Sequence, residues 1–481
     1  MSKPNLSRGI NVFESGINNE KNEDGIKSYR IPALLYTNKG TIIAGADQRH
    51  DHHYDWGNID MVVRRSEDQG KTWGPIIKLV DLKENEQAQN KDYNAAFNID
   101  MALVQDPVTD RIFALYDMFG EERGVFGMLE TPEKIKQYTK INGQSYLNLY
   151  KDQEEAPYTV REQGKVYSPE GLETDYQVIV NSATSPYRDL GDIYRGSELI
   201  GNIYFRTNSS SPFRITNKIY LWESHSDDDG ITWSTPKDIT AQVKEDWMQF
   251  YGIGPGTGIV LHAGPYKGRI VIPTYSTNHE NELDGSQSAR VIYSDDHGET
   301  WHSGNAVNDG RILDDGSVIH SSTMNHKEAQ NTESTVIQLN SGVIKYFMRN
   351  LTGKLQVATS YDGGLTWDKT VETYKEVNDV YVQLSSIQTV QDGQEYVVLT
   401  NANGPKRVNG YARLARVEKD NSLTWINHKL IQEGKFAYNA LQQIGEDRFG
   451  ILYEHAVDPY NEYCLVFKSF NWDFLIDMKK E

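Results

Sequence analysis

Short apolar runs of four to eight residues, several alternating with polar positions, recur along the whole chain. They fall at residues 29–36, 41–46, 59–65, 101–104, 112–118, 219–223, 269–276, 289–293, 335–339, 343–349, 355–359, 386–390, 396–401, 411–417, 449–453 and 463–467. Runs of this length, rich in β-branched and aromatic residues and separated by Gly, Asn and Asp, predict strands. The single helical candidate is short, residues 132–138.

Five of these runs are followed by one recurring unit. It reads S-E-D-Q-G-K-T-W at 66–73, S-D-D-D-G-I-T-W at 226–233, S-D-D-H-G-E-T-W at 294–301 and S-Y-D-G-G-L-T-W at 360–367, with a worn copy at 418–425 that keeps Asp420, Thr424 and Trp425. Asp closes a turn by accepting backbone N–H bonds, and Gly takes the positive φ that the turn needs. The unit therefore predicts a tight link between antiparallel strands, with the Thr-Trp pair opening the next strand and the ring lying under the turn. Its aspartates read as structural.

The unit aspartates Asp68, Asp228, Asp296, Asp362 and Asp420 are separated by 160, 68, 66 and 58 residues. A period near 60 with one such hairpin per period suits four-stranded propeller blades. Four strands per unit give about six blades, the last closing against the first. The long first gap holds extra chain. The predicted fold is thus all-β, a six-bladed β-propeller at 1–128 and 214–481, interrupted at 129–213 by an inserted β-rich subdomain. Within the insert, runs at 146–150, 158–166 and 176–180 read as strands, with a turn at Gln163-Gly164.

Composition narrows the picture. The 481 residues include 38% hydrophobic residues, 29 Tyr, 14 Phe and 9 Trp, enough for a large β core in one closed unit. No apolar run approaches the length of a membrane span, and mean hydropathy is −0.63. Residues 1–5 carry no apolar signal segment, so the chain reads either as cytoplasmic or as an excised mature domain. The net charge of −19 argues against nucleic acid and against anionic membranes, and it means that any anionic substrate must be caught by a local group of arginines. The lone Cys464, in Y-C-L-V-F, excludes an internal disulfide and reads as a strand residue.

A few polar residues stand out. Glu333 and Arg349 flank the hairpin turn Asn340-Ser341-Gly342 almost symmetrically, so they should be neighbours across the ladder, as a surface ion pair or as a pair at a propeller mouth. Arg30, in the apolar run Y-R-I-P-A-L-L, is costly unless an anion meets it. Tyr453-Glu454 ends another apolar run. Asp55 closes R-H-D-H-H-Y-D, whose spacing fits no zinc pattern; no metal and no cofactor are expected. Walker, G-x-S-x-G and H-E-x-x-H motifs are absent.

These units, together with Arg30-Ile31-Pro32, resemble the sialidase (neuraminidase) family of six-bladed propellers, over nearly all the chain outside the insert. The resemblance implies an arginine triad of Arg30, Arg349 and Arg407 for the sialic acid carboxylate, Asp55 as general acid/base, and Glu333 with Tyr453 as the base–nucleophile pair. Planar guanidinium groups match a carboxylate bidentately, and a phenol avoids the repulsion that a carboxylate nucleophile would meet there. Residues 471–475 (N-W-D-F-L), 452–455 (L-Y-E-H) and the insert are similar to the intramolecular trans-sialidase branch, in which the sugar's own O7 attacks and 2,7-anhydro-N-acetylneuraminic acid leaves. Trp472 is then the candidate ring over the glycerol arm, or else a core residue of the closing blade. Ile31, Arg49 and Asp100 are implied sugar-pocket contacts. The implied partners are sialylated glycans or glycoproteins, met by a secreted or cell-surface monomer without membrane insertion. An ordinary hydrolytic sialidase is the alternative, and a non-catalytic propeller of the same repeats would lack part of this set.

Overall fold

The computed structural model describes residues 3–123, 135–151, 156–206, 209–278, 285–456 and 462–477. Its strands form six antiparallel blades around a central axis. The first contains Ser28–Tyr36, Ile42–Arg49, Ile59–Ser66 and Ile77–Val80, ordered from the axis outward. The second contains Phe97–Gln105, Ile112–Phe119, Tyr220–Ser226 and Lys237–Asp238. In the fourth and fifth the innermost strands are Asn331–Gln338 and Ser385–Gln391. The sixth is assembled from Asn439–Gln443, Arg448–His455 and Cys464–Asn471, with Ile10–Phe13 from the other end of the chain as its outer strand. Closure thus comes from a strand that precedes the first blade.

A seven-stranded sheet running from Tyr138–Ile141 to Glu198–Asn202 lies in sequence between the second and third strands of the second blade. Its Leu149, Val166, Val178 and Ile193 join the same apolar cluster as Leu103 and Tyr116 of that blade, so the insert packs into the propeller core. Residues 132–134 of the helical candidate lie outside the described residues. The rest of it is not helical, and Tyr138 opens a strand.

Apolar cores fill the spaces between adjacent blades. Leu34 and Ala44 meet Leu452 and Phe467 between the first and sixth, and Leu115 and Leu221 meet Ile270 and Ile292 between the second and third. Blade-to-blade approach is close: a Cβ on Gly45 would lie 2.6 Å from Met101 Sδ, so a larger residue there must push that side chain aside.

The repeated unit links the third and fourth strands of the blades, on the face opposite the start of the inner strands. In the second blade Ser226 Oγ donates to Asp228 Oδ1 at 2.8 Å, Gly230 N donates to Ser226 Oγ at 2.9 Å, and Thr232 donates from N and Oγ1 to the two Asp228 oxygens at 2.8 and 2.6 Å. The same bonds recur around Asp68, Asp296 and Asp362. These carboxylates are consumed by their own turns, in keeping with a structural role. The Thr-Trp pair opens the next strand in the worn copy, where Thr424 and Trp425 lie in Leu423–Lys435, but not in the intact ones: His302–Ser303 follows Trp301 directly, and after Trp73 the strand starts at Ile77.

Candidate active site

Inner strands begin at one end of the axis, and their first residues meet there. In the first and second blades the ladder is broken by a bulge, between Arg30 and Ala33 and between Ile99 and Ala102. At the bulges Ile31 has φ 58° and Asp100 has φ 63°, a conformation that a β-branched residue adopts only when its surroundings hold it. For Ile31 the holder is Glu454. Its Oε1 accepts from Ile31 N at 3.0 Å and from Arg30 Nε at 2.9 Å. Its Oε2 accepts from Arg30 Nη2 at 3.2 Å and from Tyr438 N at 3.2 Å. Glu454 is fully buried, and it ties the first blade's bulge to the start of the sixth.

Tyr438, immediately before the inner strand Asn439–Gln443, is the phenol at the centre of this end. Its hydroxyl donates to Glu333 Oε1 and Oε2 at 2.8 and 2.7 Å and accepts from Arg349 Nη1 at 2.9 Å. Arg349 Nη1 also donates to Glu333 Oε2. A bulge between Asn331 and Ser334 brings Glu333 and Arg349 side by side, as the hairpin symmetry required, but both are buried and form no surface pair. Arg30 lies 5.5 Å and Arg407 5.6 Å from the centre of the Tyr438 ring. Tyr381 and Tyr463 lie against Arg349 and Arg30, at 4.1 and 4.7 Å. The three arginines named from sequence therefore converge on one phenol.

That phenol is not Tyr453. Tyr453 lies on the strand Arg448–His455, opposite Asn439, with no exposed surface, and its hydroxyl donates to Gln432 Oε1 at 2.8 Å. Its ring packs on Phe436 with centroids 5.1 Å apart. Successive strand residues point to opposite faces, so Glu454 facing the site turns Tyr453 away from it. The sequence singles out Glu454 only beside Tyr453, at the end of an apolar run, and assigns it no role.

Trp472 also lies elsewhere. It follows Asn471, which pairs with Arg448 at the far end of the strand whose near end holds Glu454, roughly 20 Å away at about 3.4 Å per residue. Its ring meets Tyr396 at 4.9 Å, so it is a packing residue of the closing blade.

Asp55 is placed by the loop between Ile42–Arg49 and Ile59–Ser66. Its Oδ1 accepts from Arg49 Nη1 at 2.7 Å and lies 3.9 Å from Arg30 Nη1. Arg49 is fully buried and donates as well to Asp47 Oδ2 at 2.7 Å and to the His53 carbonyl at 2.6 Å. Burial pushes the Asp55 carboxyl up, but the charges of Arg49 and Arg30, with Arg407 behind them, outweigh it and leave the group below the usual carboxylate range. Asp100 differs. Burial first, then the neighbouring charges of Asp47, Glu333, Asp117 and Asp55, hold it well above that range. Its backbone N–H donates to Asp47 Oδ1 at 3.1 Å. Ile31 contributes through its backbone, while its side chain joins the apolar cluster containing Tyr453 and Val466. Burial raises the Tyr438 phenol well above its ordinary value; the Arg349 charge opposes this and the Glu333 charge adds to it. The histidines of R-H-D-H-H-Y-D have separate partners: His50 meets Asp60, His52 the Asp92 carbonyl and His53 Glu462.

The arrangement gathers three guanidinium groups around a phenol–carboxylate pair, with a second carboxylate, Asp55, beside Arg30 and Arg49. Residues 203–452 match the BNR repeat-like domain, and the chain belongs to that family. Its curated relatives are sialidases: it is 27% identical to the anhydrosialidase of Macrobdella decora, covering 93% of this chain and 59% of that protein, and 26% identical to sialidase B of Streptococcus pneumoniae, covering 92% and 63%. The chain thus spans about three fifths of the length of these relatives. In fold it is similar to the intramolecular trans-sialidase of Ruminococcus gnavus, with a TM-score of 0.78 and 23% identity over 97% of this chain and 99% of that one. The leech intramolecular trans-sialidase also gives 0.78, with 22% identity over 98% of this chain and 71% of that one.

Proposed function

We propose that this chain is a retaining exo-sialidase that removes terminal α2,3-linked sialic acid from glycoconjugates by intramolecular trans-sialidation. The observation that carries the reading is the Tyr438 hydroxyl held between Glu333 and Arg349, with Arg30 and Arg407 beside the same ring. The three guanidinium groups grip the sugar carboxylate. Asp55 donates its proton to the glycosidic oxygen as that bond breaks. Glu333 takes the Tyr438 proton while the phenolic oxygen bonds to the anomeric carbon. In the second step O7 attacks the same carbon and gives its proton to Asp55, while the bond to Tyr438 breaks and the phenolic oxygen takes back the proton held by Glu333. The names of the relatives favour O7 over water as the attacking group. The enzyme acts as a monomer on sialylated glycans outside the cell or at its surface.

Product identity tests this. Digestion of 3′-sialyllactose should yield an initial product one water lighter than free sialic acid by mass spectrometry. Free sialic acid as the sole initial product would establish hydrolysis instead, and absence of any release would remove the sialidase reading.

The charge field around Asp55 sets a pH dependence. Asp55 must be protonated to act, and in the free enzyme its carboxyl is depressed. Its protonated fraction therefore shrinks as pH rises, and kcat/KM should fall from acid pH upward. A bound carboxylate cancels part of the Arg30 and Arg407 charge and raises Asp55, so single-turnover cleavage at saturating substrate should persist to higher pH. Coincident profiles would contradict this.

A further inference from the structure

Away from the axial site, a cavity of about 510 Å³ opens where the inserted sheet meets the outer strands of the second blade. Tyr220 and Trp222 of the strand Tyr220–Ser226 line it from the propeller, with Asp238 of the outermost strand. Tyr146 and Tyr204 line it from the insert. Three strand spacings separate Asp238 from the inner strand of that blade, so the cavity lies roughly 15 Å outward from it, on the flank of the propeller.

Two of the tyrosines are satisfied within the protein. The Tyr220 hydroxyl meets Thr216 Oγ1 at 2.9 Å, and the Tyr146 hydroxyl donates to Glu162 Oε1 at 2.5 Å. Two other donors are not. The Tyr204 hydroxyl and the Trp222 indole N–H make no hydrogen bond with any described residue, although Trp222 is only 6% exposed. Buried Tyr and Trp side chains ordinarily bring these groups to a partner. The exposed Asp238 carboxylate supplies the matching acceptor. Its Oδ1 accepts from Thr240 N and Oγ1 at 3.0 and 2.6 Å, and its Oδ2 from the Tyr138 hydroxyl at 2.5 Å. No basic side chain among the described residues forms an ion pair with it. A carboxylate accepts about four such bonds, so capacity for a ligand remains.

Charge selects the class of ligand. The lining sets Arg161 and Lys237 against Glu162 and Asp238, so it balances and gives an ion no net attraction. What fits is an uncharged molecule that accepts from a phenol and an indole, donates to a carboxylate and lays C–H groups on aromatic rings. Hydroxyls on a saturated ring combine these properties.

We infer that this cavity is a second sugar-binding site, for a neutral saccharide that is held and not cleaved, with Tyr204, Trp222 and Asp238 as its hydrogen-bonding set. The binding does not depend on the sialidase reading; its consequence does. A neutral branch held on the flank keeps the axial site near sialylated branches of the same glycoprotein and raises their effective concentration.

Retention on a printed array of neutral oligosaccharides ending in galactose, N-acetylglucosamine, mannose or fucose tests this. The parent protein should be retained by at least one of them. Tyr204→Phe deletes only a hydroxyl without a protein partner, so its melting temperature should match the parent's while retention weakens roughly fivefold. Asp238→Asn should weaken it roughly tenfold. Both variants should cleave 3′-sialyllactose within about twofold of the parent. Retention by none of these sugars, or retention unchanged in both variants, would overturn the site. A preference for sulfated or amine-bearing probes on the same array would replace it with an ion site. Should the parent cleave no sialoside, the sialidase reading falls, and retention on the array still decides the sugar site.

Discussion

Tyr438→Phe leaves a folded protein whose turnover of 3′-sialyllactose is lowered on the order of 10⁴-fold or more, the scale of loss when a nucleophile is removed. The change deletes one oxygen, the one that sits between both oxygens of Glu333 and Nη1 of Arg349. Tyr453→Phe is the paired control. It deletes an equally buried hydroxyl whose partner is Gln432, outside the site. It should cost about 1 kcal/mol of stability, a typical net hydrogen bond, and leave kcat near that of the parent. Steady-state kinetics with a thermal melt of each variant decide the matter. A dead Tyr453→Phe beside an active Tyr438→Phe would reverse the assignment.

Glu454→Ala should have the largest effect on stability of any change near the site. Its carboxylate answers the Arg30 guanidinium at two oxygens and also meets the N–H groups of Ile31 and Tyr438. Removing one partner of a buried pair typically costs about 3–5 kcal/mol, because the other charge is left unmet. Chemical denaturation should show that loss. The same change frees the left-handed turn at Ile31 and the backbone of Tyr438, so the folded enzyme should also lose roughly 10²-fold in kcat/KM, as reacting groups drift from their geometry. A sialic acid analogue supplies a carboxylate to Arg30 and should restore part of the stability. An unfolding midpoint equal to the parent's would show that the pair carries no such load.

The propeller was legible because its turns are chemical: Ser, Asp, Gly and Thr at fixed offsets close one hairpin in each of four blades, with a worn copy in the fifth, and their spacing sets the blade length. Glu333 and Arg349 were legible for a related reason, since Asn340-Ser341-Gly342 fixes the hairpin register and hence who faces whom. The phenol was not, because Asn439–Gln443 is a short strand without an apolar run, whereas Tyr453 ends a strongly apolar one. Strand alternation held the correction: if Glu454 points to the axis, Tyr453 cannot, and the tyrosine must come from the strand nearer the axis. Trp472 was named from the resemblance of N-W-D-F-L, with a core residue of the closing blade as the alternative, and its contact with Tyr396 at the far end of the strand pair fits the alternative. The anchor at Glu454 depends on the meeting of distant segments, which no local pattern displays.

The hydrogen bonds between Ile10–Phe13 and Cys464–Asn471 have a bearing on how this chain matures. Tyr438 and Glu454 are made after every other blade of the ring, and the blade that carries them is completed by Ile10–Phe13, a segment made before the first blade. While the ribosome is still producing the sixth blade, Arg30 therefore waits without its counter-ion and the early strand waits without its partner. Ring sealing and acquisition of catalytic competence are one event, which no nascent fragment ending before that blade can reach.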